Sequence, residues 1–242
     1  MKTDFSSFTD KGGRPVNEAF SGNASKSGTD CFILCDGLGG HGMGDKASHF
    51  AVGYIKEYFH SCRSIQEFID TVIDSTQNAL RKKQQELGLT DKMKTTCVIL
   101  LICKTEGFSI HVGDSRLYRF RDNAVISRTR DHSIPQMLAL TGEIKEEEIR
   151  SHPDRNKILR ALGDEHEHLK FEIESFEIRP GDSFLLCSDG FWEPVTEKEM
   201  EKTLSESRSV KKWLNSMALL ARKNSKEKSM DNYTAIAVTV RR

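Results

Sequence analysis

The 242-residue chain carries 36 Lys plus Arg against 36 Asp plus Glu, a formal net charge of zero, with 37% hydrophobic and 30% charged residues. That balance is ordinary for a globular protein and leaves no basic field of the kind that holds nucleic acid. The longest apolar run, Cys97 to Cys103, is too short to span a bilayer, and Met1 to Thr9 lacks the apolar core of a signal peptide, so a cytoplasmic protein with no membrane partner is expected.

No repeat, low-complexity tract or Pro/Gly-rich linker divides residues 1–242, and one domain is the expected organisation. Cys31 to Cys35 is a short apolar run ending at Asp36 and reads as a buried strand. From Asp45 to His60 apolar residues recur at helical spacing, and a second helix opens at Ser64 with Glu67 three residues on and stops near Leu87 and Gly88. Strands return at Thr95 to Cys103, Phe108 to Val112, Leu117 to Phe120 and Ala124 to Ser127, read as an antiparallel meander with turns at Gly113-Asp114-Ser115 and Asp122-Asn123.

Between His132 and Gly163 the chain turns polar and helix-like, with Pro135 and Pro153 as breakers, as a surface excursion would. Leu169 to Glu177 and Ser183 to Cys187 are two more strands hinged by Pro180-Gly181-Asp182. Thr196 with Glu199 opens a helix, Val210 to Ala221 gives another, the lysines from Lys223 to Lys228 read as a solvated loop, and Thr234 to Val240 closes the chain as an alternating strand. Strand blocks interrupted by helix pairs argue for an α+β fold. Most of the six cysteines (Cys31, Cys35, Cys62, Cys97, Cys103, Cys187) lie in apolar strand-like runs and none forms a C-x-x-C, which suits buried free thiols in a reducing compartment.

Four aspartates, Asp36, Asp114, Asp189 and Asp231, each sit beside a strand-like run and next to a Gly, Ser or Asn that turns the chain. Singly, each reads as a plain turn; Gly113-Asp114-Ser115 on its own is a hairpin. The glycines after Asp36 form neither a P-loop nor a dinucleotide fingerprint, since no Gly-Lys-Ser/Thr follows and the spacing fails. Together, four strand-end carboxylates with small neighbours suit hard divalent cations, which need negative charge and oxygen ligands.

The ordered set Arg14-x-x-Asn17-Glu18, Asp36-Gly-x-Gly-Gly-His-Gly, Gly113-Asp114-Ser115-Arg116-x-Tyr118, Asp131-His132-Ser133, His152-Pro153-x-Arg155-Asn156, Arg160-Ala161-Leu162-Gly163, Ser188-Asp189-Gly190 and Asp231-Asn232-x-Thr234 resembles the metal-dependent protein serine/threonine phosphatases of the 2C type, in a bacterial-like pattern. The resemblance spans residues 14 to 238. It implies a four-layer α-β-β-α sandwich with two central antiparallel sheets and a flap-like segment at about 133–163. It also implies hydrolysis of phosphoserine and phosphothreonine on proteins by attack of a hydroxide bridging two Mn²⁺ or Mg²⁺ ions.

By the same resemblance, Asp36, Asp189 and Asp231 form the catalytic core. Asp36 bridges the ions, Asp189 and Asp231 complete the first, and Glu18 with the Gly37 carbonyl binds the second. Asp114, with help from Asp189, holds a weaker third ion, Glu193 is a secondary ligand candidate, and Arg14 contacts the substrate phosphate. The expected partners are phosphorylated proteins and a cognate Ser/Thr kinase, acting with a monomer.

Two positions depart from the pattern. The family usually has Asp directly after Asn-Glu, orienting metal-bound water, and here Ala19 stands in its place; losing such a support costs ~10- to 100-fold in metal affinity or activity. The His that many eukaryotic members place two residues after the Asp of the Asp-Gly motif is Leu38 here, and His41 reads as structural. His132 and Ser133 read as shaping the turn into the flap-like segment, and His111 as a strand residue with no ligand-type partner nearby in sequence. A catalytically weakened relative acting as a metal- and protein-binding module is the alternative function. A regulatory phosphatase of the sporulation or stress-response type would share the chemistry.

Overall fold

The computed structural model describes residues 1–39, 42–90, 92–165, 169–225 and 230–241. Gly40 and His41 of the glycine-rich loop, and Lys226 and Lys228 of the lysine-rich stretch, lie outside the described residues.

Ten strands make two five-stranded antiparallel sheets. One runs in the order β1 (Lys2–Asp10), β10 (Tyr233–Arg241), β9 (Ser183–Cys187), β6 (Arg116–Arg121), β7 (Ala124–Arg128). The other runs β2 (Ala19–Lys26), β3 (Thr29–Asp36), β4 (Cys97–Cys103), β5 (Glu106–Val112), β8 (Glu172–Glu177). Helices α1 (Gly44–Ser61) and α2 (Ile65–Leu87) cover the outer face of the second sheet, and α5 (Glu197–Glu206) with α6 (Val210–Asn224) covers the first. The protein is an α+β, four-layer sandwich.

Side-chain alternation builds the layers. In β3, Cys31, Ile33 and Cys35 pack toward α1 and α2, while Phe32 and Leu34 point at the opposite sheet; Cys97, Ile99 and Leu101 of β4 divide from Val98, Leu100 and Ile102 in the same way. Central strands buried on both faces therefore read as unbroken apolar runs, which is why the sequence marks them. In the other sheet Leu185 and Cys187 meet the helices, and Phe184, Leu186, Ile236 and Val238 fill the space between the sheets.

The helix signals are realised locally. Ser64 caps α2 by accepting the Glu67 N–H at 3.0 Å, Glu67 accepts the Arg63 N–H at 2.8 Å, and Gly88 ends the helix with φ 64°. Thr196 and Glu199 form the capping box of α5. Helix α6 runs on to Asn224, so Lys223 is helical and not in a loop.

The meander is corrected. Strands β4 and β5 pair, and so do β6 and β7 around Asp122 and Asn123, but β5 and β6 belong to different sheets. Gly113-Asp114-Ser115 is thus a crossing between sheets and not a hairpin. The chain crosses again between β8 and β9, where the Arg121 guanidinium holds Asp182 through bonds of 2.8 and 2.7 Å. Between β7 and β8 lie α3 (Ile134–Thr141), capped by Ser133, and a 3₁₀ turn at Glu146–Ser151. No helix among the described residues is long and apolar enough to cross a membrane.

Candidate metal centre

Both sheets deliver carboxylates to one end of the sandwich. Asp36 is the last residue of β3, Asp114 lies in the crossing from β5 to β6, Asp189 opens the short helix α4 (Asp189–Trp192) after β9, and Asp231 precedes β10. All four line one cleft of about 660 Å³, together with Arg14, Glu18 and Gly37. Every residue predicted for the core set is in that cleft. Glu193 lies in the adjoining hollow, where the Arg155 Nε donates to its carboxylate at 3.1 Å.

Backbone bonds fix the carboxylates. Thr96 accepts the Asp36 N–H on its hydroxyl at 3.0 Å and donates its own N–H to the Asp36 carbonyl at 2.8 Å. Asn232 accepts the Glu18 N–H at 2.8 Å and donates to the Lys11 and Val16 carbonyls at 2.9 Å each, so it ties the loop carrying Arg14 and Glu18 to the start of β10. Gly37 must lack a side chain because a Cβ there would stand 2.2 Å from the Gly44 carbonyl oxygen; that contact brings the start of α1 against Glu18. Strand β1, paired with β10 over its whole length, sets Arg14 beside Asp231. The guanidinium donates to both Asp231 oxygens, at 3.0 and 2.7 Å.

The charges in the cleft do not balance. Burial, then the Asp189 charge, pushes Asp36 well above the usual carboxylate range, and the same two causes act on Asp114. Asp189 is pushed up to about 6, first by burial and then by Asp231. Burial, followed by Asp45 and Asp231, raises Glu18, and Glu193 is pushed up to about 7 by burial and then by Asp189. The Asp36 and Asp189 carboxyls each act on the other's ionisation. Crowded oxygen donors that resist ionising together are the donor set hard dications favour, and bound dications would remove the repulsion. The residues fit such a group.

Ala19 opens β2 in register with Asp36 and is 3% exposed, so no carboxylate stands at that point. Leu38 lines the cleft and has no proton to give. Sequence reasoning assigned no role to Thr96, Asn232 or Trp192, whose partners lie far along the chain and carry no local signal. Asp45, which the sequence marks only as the start of a helix, lies in the first turn of α1 and is the charge that acts most on Glu18.

A second cluster is assembled by the fold from residues distant in sequence. His111 and His132 stack with ring centroids 4.7 Å apart, and Glu172 Oε1 is 3.6 Å from His132 Nε2. These histidines do have a ligand-type partner, brought by the fold. Their rings are only 21° from parallel, so their in-plane lone pairs do not converge on one ion, and His132 Nδ1 already accepts the Gly113 N–H at 3.2 Å.

The sequence profile described as Protein phosphatase 2C matches residues 11–233. The chain is 35% identical over 195 residues to the serine/threonine phosphatase stp of Listeria welshimeri, covering 77% of this chain and 76% of that protein. The crystal structure of the serine/threonine phosphatase Stp1 from Staphylococcus aureus superposes with a TM-score of 0.91 at 29% identity, covering 100% of this chain and 96% of that one. The catalytic domain of the serine threonine protein phosphatase PstP, in complex with 2 manganese ions, matches with a TM-score of 0.83 at 25% identity, covering 99% of each chain.

Proposed function

Because this chain belongs to the protein phosphatase 2C family, an enzymatic and metal-dependent family, we propose that it hydrolyses phosphoserine and phosphothreonine esters of proteins with the help of Mn²⁺ or Mg²⁺. One observation carries this reading: Glu18, Asp36, Asp114, Asp189 and Asp231 converge from both sheets on one cleft, with several of them held above their ordinary pKa. Asp36 would bridge two ions, with Asp189 and Asp231 on the first and Glu18 and the Gly37 carbonyl on the second. Asp114 and Asp189 would hold a third, more weakly bound ion, with Glu193 close by. Ions held by these residues would supply an activated water as the nucleophile for phosphorus near neutral pH.

The chain's own groups do the rest. Arg14 reaches the cleft with a planar fork of N–H donors suited to two phosphoryl oxygens, and its side chain is 56% exposed, so a phosphate can compete for it with Asp231. Asn232 and Thr96 hold Glu18 and Asp36 in place during turnover. Ile134, Asn156, Lys157 and Ile158, from the excursion between β7 and β8, form the opposite wall, where a phosphopeptide would lie. Leu38 has no proton to give, and water is the donor this reading assigns to the departing serine or threonine oxygen.

Replacing Asp189 by Ala tests the assignment. Turnover of a phosphothreonyl peptide at millimolar Mn²⁺ is expected to fall by ~100-fold or more, with the circular dichroism spectrum unchanged. Activity within a few-fold of the unaltered protein would remove Asp189 from the core set. Ala19 favours a second reading, a relative with weakened turnover that acts by binding metal and a protein partner.

A further inference from the structure

The geometry points to Trp192 as the positioning residue that sets Asp114 against Asp189, and so tunes chiefly the affinity of the outermost ion. The inference rests on the reading of Asp114 as a ligand.

The pairing of β6 with β9, which sets Arg116 opposite Cys187, brings the crossing that carries Asp114 alongside the turn that carries Asp189, but it does not fix the two segments beyond the last rung. Trp192 does. It is the last residue of the short helix that Asp189 opens, and its Nε1–H donates to the Asp114 carbonyl at 3.0 Å. The indole is 2% exposed and clamped on its face by the Arg116 guanidinium, 3.4 Å from the ring centroid. Arg116 is itself fixed by two bonds to Asp131 of 2.8 and 2.7 Å. The Trp192 carbonyl accepts from Arg150 at 2.7 Å, which secures the backbone of the same residue. A ring so held acts as a rigid strut between the two carboxylate-bearing segments.

The other side of the crossing is already pinned. Gly113 donates to His132 Nδ1 at 3.2 Å and accepts the His132 N–H at 2.9 Å, while Ser115 and Thr96 share a hydroxyl bond of 2.7 Å. Gly113 has φ +101°, and a Cβ there would come within 2.7 Å of Thr96. These contacts tie Asp114 to the β4 side of the cleft. Among the described residues, the Trp192 bond reaches the Asp114 carbonyl from the Asp189 helix, beyond the last rung of the β6–β9 ladder, whereas the His132 and Thr96 bonds reach the crossing from elsewhere. Glu18, Asp36 and Asp231 are held by Asn232, Thr96 and β-pairing, and Asp189, shared with the first ion, keeps the Gly190 N–H on its own carboxylate at 2.6 Å whether or not the indole bond is made. Losing the indole donor should therefore act chiefly on the outer ion, through Asp114.

The test is a calorimetric Mn²⁺ titration of the full chain after chelator treatment, comparing the unaltered protein, Trp192→Phe, Asp114→Asn and the double variant. In Trp192→Phe the weakest ion's Kd is expected to rise ~10-fold or more, with the tighter two within ~2-fold and no effect beyond that of Asp114→Asn in the double variant. Benzothienylalanine in place of Trp192, which keeps the ring and deletes only the N–H, should reproduce the shift even if Phe perturbs packing. Unchanged affinities, or an equal loss at every ion, would overturn the proposal. If Asp114→Asn itself changes no ion, the reading of Asp114 as a ligand falls, whatever Trp192 does.

Discussion

At the scale of single residues, the carboxylates legible in the sequence were those whose neighbours turn the chain: Asp36, Asp114, Asp189 and Asp231 each announce a strand end. Their supports were not legible. Asn232 serves Glu18 from 214 residues away, and Trp192 serves Asp114 from 78, so no periodicity or spacing connects the partners. Arg14, the residue expected to meet phosphate, also grips Asp231, which the sequence does not show because the pairing of β1 with β10 brings the two together. The electrostatics make a signed expectation. Asp189 has a folded pKa raised to about 6 from an ordinary value of 3.8. Its favourable contribution is therefore complete below 3.8 and is lost as pH rises through 6. In a chelator, Asp189→Asn should melt higher than the unaltered chain at pH 7, on the order of 5 °C, and the difference should vanish near pH 4. Differential scanning calorimetry at the two pH values measures this; a difference that grows toward acid would contradict the assigned charge crowding.

At the scale of elements, the central strands, the capped helices and the edge strands β7 and β8 are plain in the sequence, and the edge strands β1 and β2 are not. Strand β2, Ala19–Lys26, is an edge strand, mostly polar, and pairs with β3 along one side only, so it lacks the apolar run that marks β3 and β4. Strand β1 is similarly polar; Phe8 packs into the α6 core and Phe5 meets Phe32 with ring centroids 5.2 Å apart. The crossing from β5 to β6 reads as a hairpin in the sequence because a Gly-Asp-Ser turn looks the same locally whether the next strand joins the same sheet or the opposite one. That distinction is functional: a hairpin would leave Asp114 at a sheet edge, whereas the crossing places it between the sheets beside Asp189. Glycine use separates the two roles of an element. Gly37 is pressed against the Gly44 backbone, but Gly53 lies exposed within α1 with nothing within 4 Å of a Cβ. Gly53→Ala should raise stability by ~0.5–1 kcal/mol, read as a higher urea midpoint at unchanged slope; a lower midpoint would show that α1 needs flexibility there.

At the scale of the whole molecule, two twisted sheets packed face to face leave a cleft at one end, floored by strand ends and walled by the excursion between β7 and β8. The sandwich supplies two rigid faces, and the ends of β3, β9 and β10, with the crossing from β5, supply carboxylates that would repel one another without cations. The weak point in that design is Ala19, opposite Asp36 in β2, where a supporting carboxylate would complete the charge shell. Phosphate release from a phosphothreonyl peptide across a Mn²⁺ titration, for the unaltered chain and Ala19→Asp side by side, tests the metal centre most directly. Turnover that requires Mn²⁺, disappears in chelator and rises ~10- to 100-fold in Ala19→Asp is the expected result; no turnover by either protein at millimolar Mn²⁺ would contradict it.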